Sequence, residues 1–307
     1  MDCLRIATRK SPLAMWQAEH VAEALRRTHA DLDVTLVPLS TRGDEILDRS
    51  LSEIGGKGLF LKELERALID DEADIAVHSL KDVPAESPAE FELAAWLPRA
   101  DWRDRWITRD GVRPQDLPAG ARVGTASLRR QSQLLAMCPQ LHVVPVRGSV
   151  QTRLDKLDAG EVDGLILASA GLQRLGIERP GSLPLEPPGF LPSAGQGVIV
   201  VQCRRGENEV IRLLGPLDCP ETVATMRAER AVVSELGGDC RMPLAAFAEL
   251  EDAGIRLRAR LASPDGRQVL DSSVEGRVED ADALGRQAAR HLLDQGGDQI
   301  LRALESL

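Results

Sequence analysis

One stretch of the sequence, residues 121–154, contains five arginines and no Asp or Glu. The whole chain carries 48 acidic and 38 basic residues, and its net charge of −10 sets this basic stretch apart. A guanidinium group binds a carboxylate through two parallel hydrogen bonds. The stretch therefore predicts a site for a ligand with several carboxylates. Its arginines are Arg122, Arg129, Arg130, Arg147 and Arg153.

Three segments repeat one pattern, in which an apolar strand leads into a short turn with basic and hydroxyl residues and then into a helix. They are residues 6–12, 123–130 and 143–149. The N–H groups at a helix N-terminus favour anions, whereas an arginine in the first turn costs about 0.3–1 kcal/mol. A bound anion would explain why Arg129 and Arg130 stand in such a turn. Each segment alone also fits an ordinary capped helix, but the repetition favours anion sites.

The glycine-containing segments do not match nucleotide-binding motifs. Residues 55–58 lack the first Gly and the following Ser or Thr of a phosphate-binding loop. Residues 195–197 lack the spacing of a dinucleotide-binding turn. We therefore expect the arginines to bind carboxylates rather than the phosphates of a nucleotide.

A single acid and a single thiol have the residue type and setting to do chemistry. Asp82 follows a short apolar strand at 74–77 and stands beside Lys81. It is either a turn-capping residue or an ionised carboxylate that stabilises positive charge on a ligand. Cys240 lies in a Gly-rich loop beside an arginine, and it is either an ordinary loop cysteine or a reactive thiol. His78 is expected to be a strand-end histidine bonded to the backbone.

The surrounding elements predict an α/β fold. Strands alternate with helices from the N-terminus onward, and 307 residues suffice for two or three domains. A helix at 220–236 followed by alternating strands predicts a separate small C-terminal α/β module.

Composition excludes several classes of function. The acidic charge, together with four Phe, four Trp and no Tyr, argues against a nucleic-acid partner. No apolar run has the ~20 residues that span a bilayer, so no membrane insertion is expected. The five cysteines form no CxxC pair, which favours a reduced, cytoplasmic setting and no zinc site.

The sequence resembles the hydroxymethylbilane synthase family, also called the porphobilinogen deaminases, from about Arg5 to the final helix. The resemblance is dense up to about Arg204 and thinner beyond it, apart from the cysteine loop. The segments that carry it are IATRKSPLA, GGKGLFLKELE, DIAVHSLKDVP, VGTASLRRQ, RGSVQTRL, ASAGLQRLG, LPSAGQG and GDCRMP. Together these segments are highly specific for the family.

The resemblance implies a transferase of tetrapyrrole and haem biosynthesis. Such an enzyme joins four porphobilinogen molecules with loss of ammonia and releases hydroxymethylbilane by hydrolysis. It implies a dipyrromethane cofactor bound through a thioether, by position to Cys240, and no metal. Because each pyrrole carries an acetate and a propionate, the porphobilinogen oligomer is a polycarboxylate, in agreement with the arginine argument.

The resemblance also implies roles for individual residues. Asp82 becomes the catalytic carboxylate, and Lys57 and Phe60 fall in a loop expected to be mobile near the substrate. Cofactor- and substrate-binding positions are Arg9, Ser11, Lys81, Thr125, Ser127, Arg129, Arg130, Arg147, Arg153, Arg174 and Gln196. One departure is Asp239, where family members usually have Gly before the cysteine. A carboxylate there is expected to raise the pKa of the thiol unless Arg241 compensates.

The fold that the resemblance implies has two α/β domains like those of type II periplasmic binding proteins, plus a small C-terminal α/β domain. Domain 1 comprises residues 1–98 and 197–216, domain 2 residues 99–196, and domain 3 residues 217–307. We expect the chain to cross between the first two near 97–106 and 191–197, and the protein to be a monomer. The alternative function is a non-catalytic sensor of periplasmic-binding-protein fold that binds a carboxylated ligand. Cys240 and Asp82 together argue against it, since a sensor needs neither.

Overall fold

A computed structural model describes residues 1–40, 61–86, 88–238, 242–251 and 254–305. Within these ranges the chain forms three β-sheets with helices packed against them. The first sheet contains β1 (Cys3–Arg9), β2 (Asp33–Leu39), β3 (Ile75–Ser79), β4 (Phe91–Trp96) and β10 (Ile199–Arg204). Its helices are α1 (Pro12–Thr28), α2 (Lys62–Ile69) and α6 (Asn208–Leu214). The strand order is β2-β1-β3-β10-β4.

The second sheet is built in the same way. It contains β5 (Asp104–Ile107), β6 (Arg122–Gly124), β7 (His142–Val144), β8 (Gly164–Ala168) and β9 (Leu183–Leu185). Its helices are α3 (Leu128–Met137), α4 (Val150–Asp158) and α5 (Ser169–Arg174). The strand order is β7-β6-β8-β5-β9.

The chain crosses twice between these two sheets. In each sheet three parallel strands lie side by side. The neighbouring strand, β10 in the first sheet and β5 in the second, is antiparallel to them and comes directly after a crossing in the chain. The first crossing spans residues 97–103 and the return crossing residues 186–198. Trp106 lies inside β5, so the first crossing ends before it. The expected α/β class is confirmed, and the division into domains stays a prediction.

The third sheet is antiparallel and small, as expected for the C-terminal module. It contains β11 (Leu244–Glu251), β12 (Gly254–Ala262) and β13 (Val269–Gly276), in that order. Helices α7 (Pro220–Glu235), α8 (Ala281–Asp294) and α9 (Gly297–Glu305) accompany it. Alternate residues of β12, such as Leu257 and Ala259, are buried in one core with Ala228 and Val232 of α7.

Serine caps begin the helices of all three predicted strand–turn–helix segments. The Oγ atom of Ser11 accepts the N–H of Ala14 at 3.4 Å at the start of α1. Ser127 and Ser149 cap α3 and α4 in the same way. Because β1, β6 and β7 lie in parallel pairs, these caps stand at the carboxyl edges of the sheets, where ligands of α/β proteins bind. None of the described helices is long and apolar enough to cross a membrane.

Candidate active site

Asp82 lies just beyond the carboxyl end of β3, at the last position of the 3-10 turn Leu80–Asp82. The turn is anchored by buried Leu80, whose N–H donates to Val198 O at 3.0 Å. Gly195 packs against the same leucine: a Cβ there would lie 2.7 Å from Leu80 Cγ, and its φ of +74° also favours glycine. The return crossing thus supports the turn that carries half-buried Asp82.

Lys81 precedes Asp82 in this turn and is half-buried. Its Nζ donates to Gln196 Oε1 at 3.3 Å. Burial, together with the charge of nearby Arg130, lowers the pKa of Lys81 to about 8, although Asp82 opposes the shift. An ammonium group in this setting would be stabilised by an additional anion.

Arg129 and Arg130 are buried around a carboxylate that the sequence reasoning missed, Asp104 at the start of β5. Arg129 donates to Asp104 Oδ2 and to Leu191 O, both at 2.7 Å. Arg130 donates to Asp104 Oδ1 at 2.7 and 3.0 Å and to Ile166 O at 2.9 Å. Burial disfavours ionisation of Asp104, but the two guanidinium groups outweigh it and hold the pKa of this carboxyl well below its usual range.

The Asp104 contact changes the interpretation of the basic stretch. An anion does lie at the first turn of α3, but it is a side chain of the protein. Arg129 and Arg130 carry two positive charges and Asp104 carries one negative charge. The three side chains together therefore keep a net positive charge beside Lys81. The binding of ligand carboxylates by Arg129 and Arg130 stays a prediction, and any such contact would use donors that Asp104 does not occupy.

The polar residues near these arginines are engaged in local bonds. The Gln196 Nε2 atom donates to Trp102 O at 2.8 Å and to Asp104 Oδ1 at 3.1 Å, so it joins the two crossings. Thr125 Oγ1 accepts the N–H of Ser127 at 3.2 Å. These contacts fix the turn after β6 and connect it, through Asp104, to the crossings.

Arg147 and Arg153 come from the third strand–turn–helix segment. Arg153 lies in the first turn of α4, and its Nε donates to Gly148 O at 2.9 Å. Burial, together with the charges of Arg130 and Arg147, lowers the pKa of Arg153 to about 10, although Asp82 opposes the shift. These mutual effects require the side chains to lie near one another. The structure therefore brings guanidinium groups from two helix N-termini toward Asp82.

Arg174 contacts the return crossing. One of its terminal nitrogens donates to Gly197 O at 2.7 Å, and its guanidinium carbon lies 5.8 Å from the ring centre of Trp16 on α1. Burial lowers the pKa of Arg174 to about 10. This arginine therefore links helices of the first and second sheets.

His78, at the end of β3, is buried and bonds a side chain rather than the backbone partner that we expected. Its Nε2 lies 3.0 Å from Gln202 Oε1. Burial, together with the charge of Arg9, lowers the pKa of His78 to about 4, although the bond to Gln202 opposes the shift. A neutral, bonded imidazole is a structural group here. Arg9 ends β1 at the edge that leads to Asp82, and Ser11 caps α1.

Some of the predicted residues lie outside the described ranges. They are Lys57, Phe60, Asp239, Cys240 and Arg241. The segment with Cys240 connects the end of α7 at Glu235 to the start of β11 at Leu244.

Sequence reasoning also missed Glu229, which is fully buried on α7. Its carboxylate accepts a hydrogen bond from Arg99 on the first crossing at 2.6 Å. It also accepts the N–H of Gly195 at 2.7 Å and the N–H of Ala248 in β11 at 2.8 Å. The sequence signal that could have revealed Glu229 was an acidic residue at a position of α7 where the helical pattern has apolar residues. Glu229 thus ties both crossings to the third sheet.

The described site residues fit a ligand with several carboxylates. Lys81 and Arg153 are cations whose charged forms burial disfavours, and each lies within electrostatic reach of Asp82 and Arg130. Ligand carboxylates would offset that cost through charge-assisted hydrogen bonds. Asp82 adds a carboxylate that could accept N–H groups or offset positive charge on the same ligand.

Comparison with known proteins agrees with this chemistry. Residues 4–212 match the family model "Porphobilinogen deaminase, dipyromethane cofactor binding domain", and residues 223–294 match "Porphobilinogen deaminase, C-terminal domain". The chain is 52% identical over 304 residues to a porphobilinogen deaminase of Xanthomonas euvesicatoria, covering 99% of this chain and 100% of that protein. The enzyme of Chromobacterium violaceum is 50% identical, with coverage of 99% and 98%.

Similarity to solved structures is more distant. The periplasmic aliphatic sulphonate binding protein SsuA from Escherichia coli is 13% identical, with a TM-score of 0.44, over 96% of this chain and 88% of that one. The family models and the curated relatives, by contrast, cover nearly the whole sequence. This chain therefore belongs to the porphobilinogen deaminase family.

Proposed function

We propose that this chain is a hydroxymethylbilane synthase, a transferase that joins four porphobilinogen molecules with loss of ammonia and releases hydroxymethylbilane by hydrolysis. Membership of the family over the whole chain supports this activity. The observation that carries it is the position of Asp82 at a strand end, in electrostatic contact with Lys81 and Arg153. A carboxylated pyrrole needs both charges: cations for its acid groups and an anion for its ring nitrogen.

The family's dipyrromethane cofactor fits the same cluster. When bound, it supplies the pyrrole carbon that accepts the first porphobilinogen unit. We assign its attachment to the thiol of Cys240. Its carboxylates, and those of the growing chain, are assigned to Arg9, Ser11, Lys81, Thr125, Ser127, Arg129, Arg130, Arg147, Arg153, Arg174 and Gln196, with Lys57 and Phe60 near the substrate. Charge-assisted bonds of about 1.5–3 kcal/mol each would hold an intermediate between additions.

Asp82 is assigned the catalytic role. Its carboxylate would accept hydrogen bonds from pyrrole N–H groups and stabilise the positive charge that develops on porphobilinogen as ammonia leaves. Lys81 and Arg153 are cationic and lie within electrostatic reach of that carboxylate. His78 takes no part, since it is neutral and bonded to Gln202.

The remaining expectations belong to this proposal. We propose three domains with boundaries at 98/99, 196/197 and 216/217, a division that the three separate sheets support. A monomeric, cytoplasmic enzyme without nucleic-acid or membrane partners is proposed from the charge and composition. The sensor alternative is disfavoured because the curated relatives matched over nearly the full length carry the name of an enzyme.

Intact-mass analysis of the purified protein tests the proposal. We expect an adduct of two linked pyrroles that peptide mapping assigns to Cys240, and consumption of porphobilinogen with release of ammonia. The Cys240→Ser variant is the matched control and should lack both adduct and turnover, whereas Cys219→Ser should keep both. An unmodified wild-type chain that leaves porphobilinogen untouched would refute the proposed activity.

A further inference from the structure

Arg230 of helix α7 binds the chain immediately after Asp82. Its terminal nitrogens donate to Pro84 O and Ala85 O, both at 2.8 Å, and to Val83 O at 3.3 Å. Three consecutive carbonyl oxygens therefore face one guanidinium group from a different part of the chain.

Arg230 makes these carbonyl bonds where an arginine would ordinarily form an ion pair. Burial lowers the pKa of Arg230 to about 10. Among the described residues Arg230 pairs with no carboxylate, and its guanidinium carbon lies 5.8 Å from the ring centre of Trp96. By contrast, Arg227, one turn earlier on the same helix, is exposed and pairs with Asp282. A half-buried cation whose described partners are carbonyl groups and a ring pays a desolvation cost that those bonds must offset.

We infer that Arg230 is a positioning residue that sets the location of Asp82. The segment after the 3-10 turn is held by carbonyl bonds to α7, and the turn itself is held by the return crossing. The same helix ends at Glu235, shortly before Cys240 in the sequence, and binds both crossings through neighbouring Glu229. Arg230 therefore links the position of the Asp82 carboxylate to helix α7, which precedes Cys240 in the sequence. This inference rests on the proposed role of Asp82.

A cleft beside Arg230 makes the inference testable by chemical rescue. It has a volume of about 350 Å³ and is lined by Trp96, Ala85, Arg227, Arg230, Asp282 and Arg286, among others. Removal of the Arg230 side chain would extend this cleft to the freed carbonyl oxygens. A guanidinium ion has the donors and the planar shape to occupy that space.

The test measures kcat, KM, melting temperature and intact mass for Arg230→Ala, with Arg227→Ala as the matched control from the same helix. We expect kcat of Arg230→Ala to fall by up to about 100-fold, since a small misplacement of a catalytic group costs that much. The KM for porphobilinogen should stay near the wild-type value, because the arginine cluster is intact. The dipyrromethane adduct should remain in place. Millimolar guanidinium chloride should restore part of kcat, whereas sodium chloride at equal ionic strength should not.

Arg227→Ala is expected to keep the wild-type kcat. If Arg230→Ala does not fold, Arg230→Lys, which retains a cation with fewer donors, takes its place and should show the same fall in kcat at constant KM. Wild-type kcat in the folded variant, or a fall matched by loss of the adduct, would overturn the inference. Inactive wild-type protein, or an active Asp82→Asn variant, would instead overturn the proposed function.

Discussion

Lys81 Nζ lies 3.3 Å from Gln196 Oε1, and this contact joins the turn that carries Asp82 to the return crossing. Gln196 in turn donates to Asp104, the carboxylate between Arg129 and Arg130. The proposed catalytic turn and the buried arginine cluster are therefore parts of one polar network. The network contains more cationic than anionic groups, which is the property that a polycarboxylate ligand requires.

Lys81 should release its proton near pH 8 in protein that lacks the cofactor. Burial lowers its pKa to about 8, so between pH 8 and its ordinary value of 10.5 the unfolded chain binds more protons than the folded one. The contribution of Lys81 to the free energy of unfolding therefore rises with pH through that window. Competitive amine labelling of Cys240→Ser, normalised to exposed Lys62, should show a midpoint near pH 8 at Lys81.

In the loaded enzyme, ligand carboxylates would favour the ammonium form, so the labelling midpoint of Lys81 should move to higher pH. An identical midpoint in the loaded protein and in Cys240→Ser would contradict a place for Lys81 beside the cofactor.

Asp104 should be essential for the stability of the second sheet. Asp104→Asn leaves Arg129 and Arg130 buried without a counter-charge, and breaking such a pair costs about 3–5 kcal/mol. Asp116→Asn, which removes an exposed ion pair with Arg113, should cost at most about 1 kcal/mol. Melting temperatures of the two variants measure the contrast. Equal melting temperatures would show that Asp104 is not the counter-charge of the two arginines.

Arg153 should serve binding at the expense of stability. Arg153→Met removes a half-buried cation whose charged form burial disfavours, so the melting temperature should be unchanged or higher. The KM for porphobilinogen should rise by about 10- to 100-fold, which corresponds to one lost charge-assisted bond. Arg122 belongs to the same acid-free stretch but lies exposed at the opposite end of β6, so Arg122→Met should leave KM unchanged. A similar KM for both variants would remove Arg153 from the binding site.

Local patterns predicted much of the fold. Ser11, Ser127 and Ser149 mark the starts of α1, α3 and α4 because a serine cap needs only residues within one helical turn. The sequence could not reveal that Asp104 neutralises part of the arginine cluster, since that contact depends on the pairing of β5 with β8 far along the chain. Glu229 and Arg230 were missed for the same reason: Arg99, which pairs with Glu229, and the carbonyl groups that Arg230 binds lie more than 100 residues away in sequence.

The direct test of the account is the mass of Asp82→Asn protein after incubation with porphobilinogen, compared with wild type. Wild-type protein should carry its two-pyrrole adduct and then a ladder of species, each heavier by one porphobilinogen less ammonia. Asp82→Asn should keep the adduct but extend it at least about 100-fold more slowly, because the group that stabilises the developing cation is gone. An Asp82→Asn ladder that forms at the wild-type rate would contradict the account.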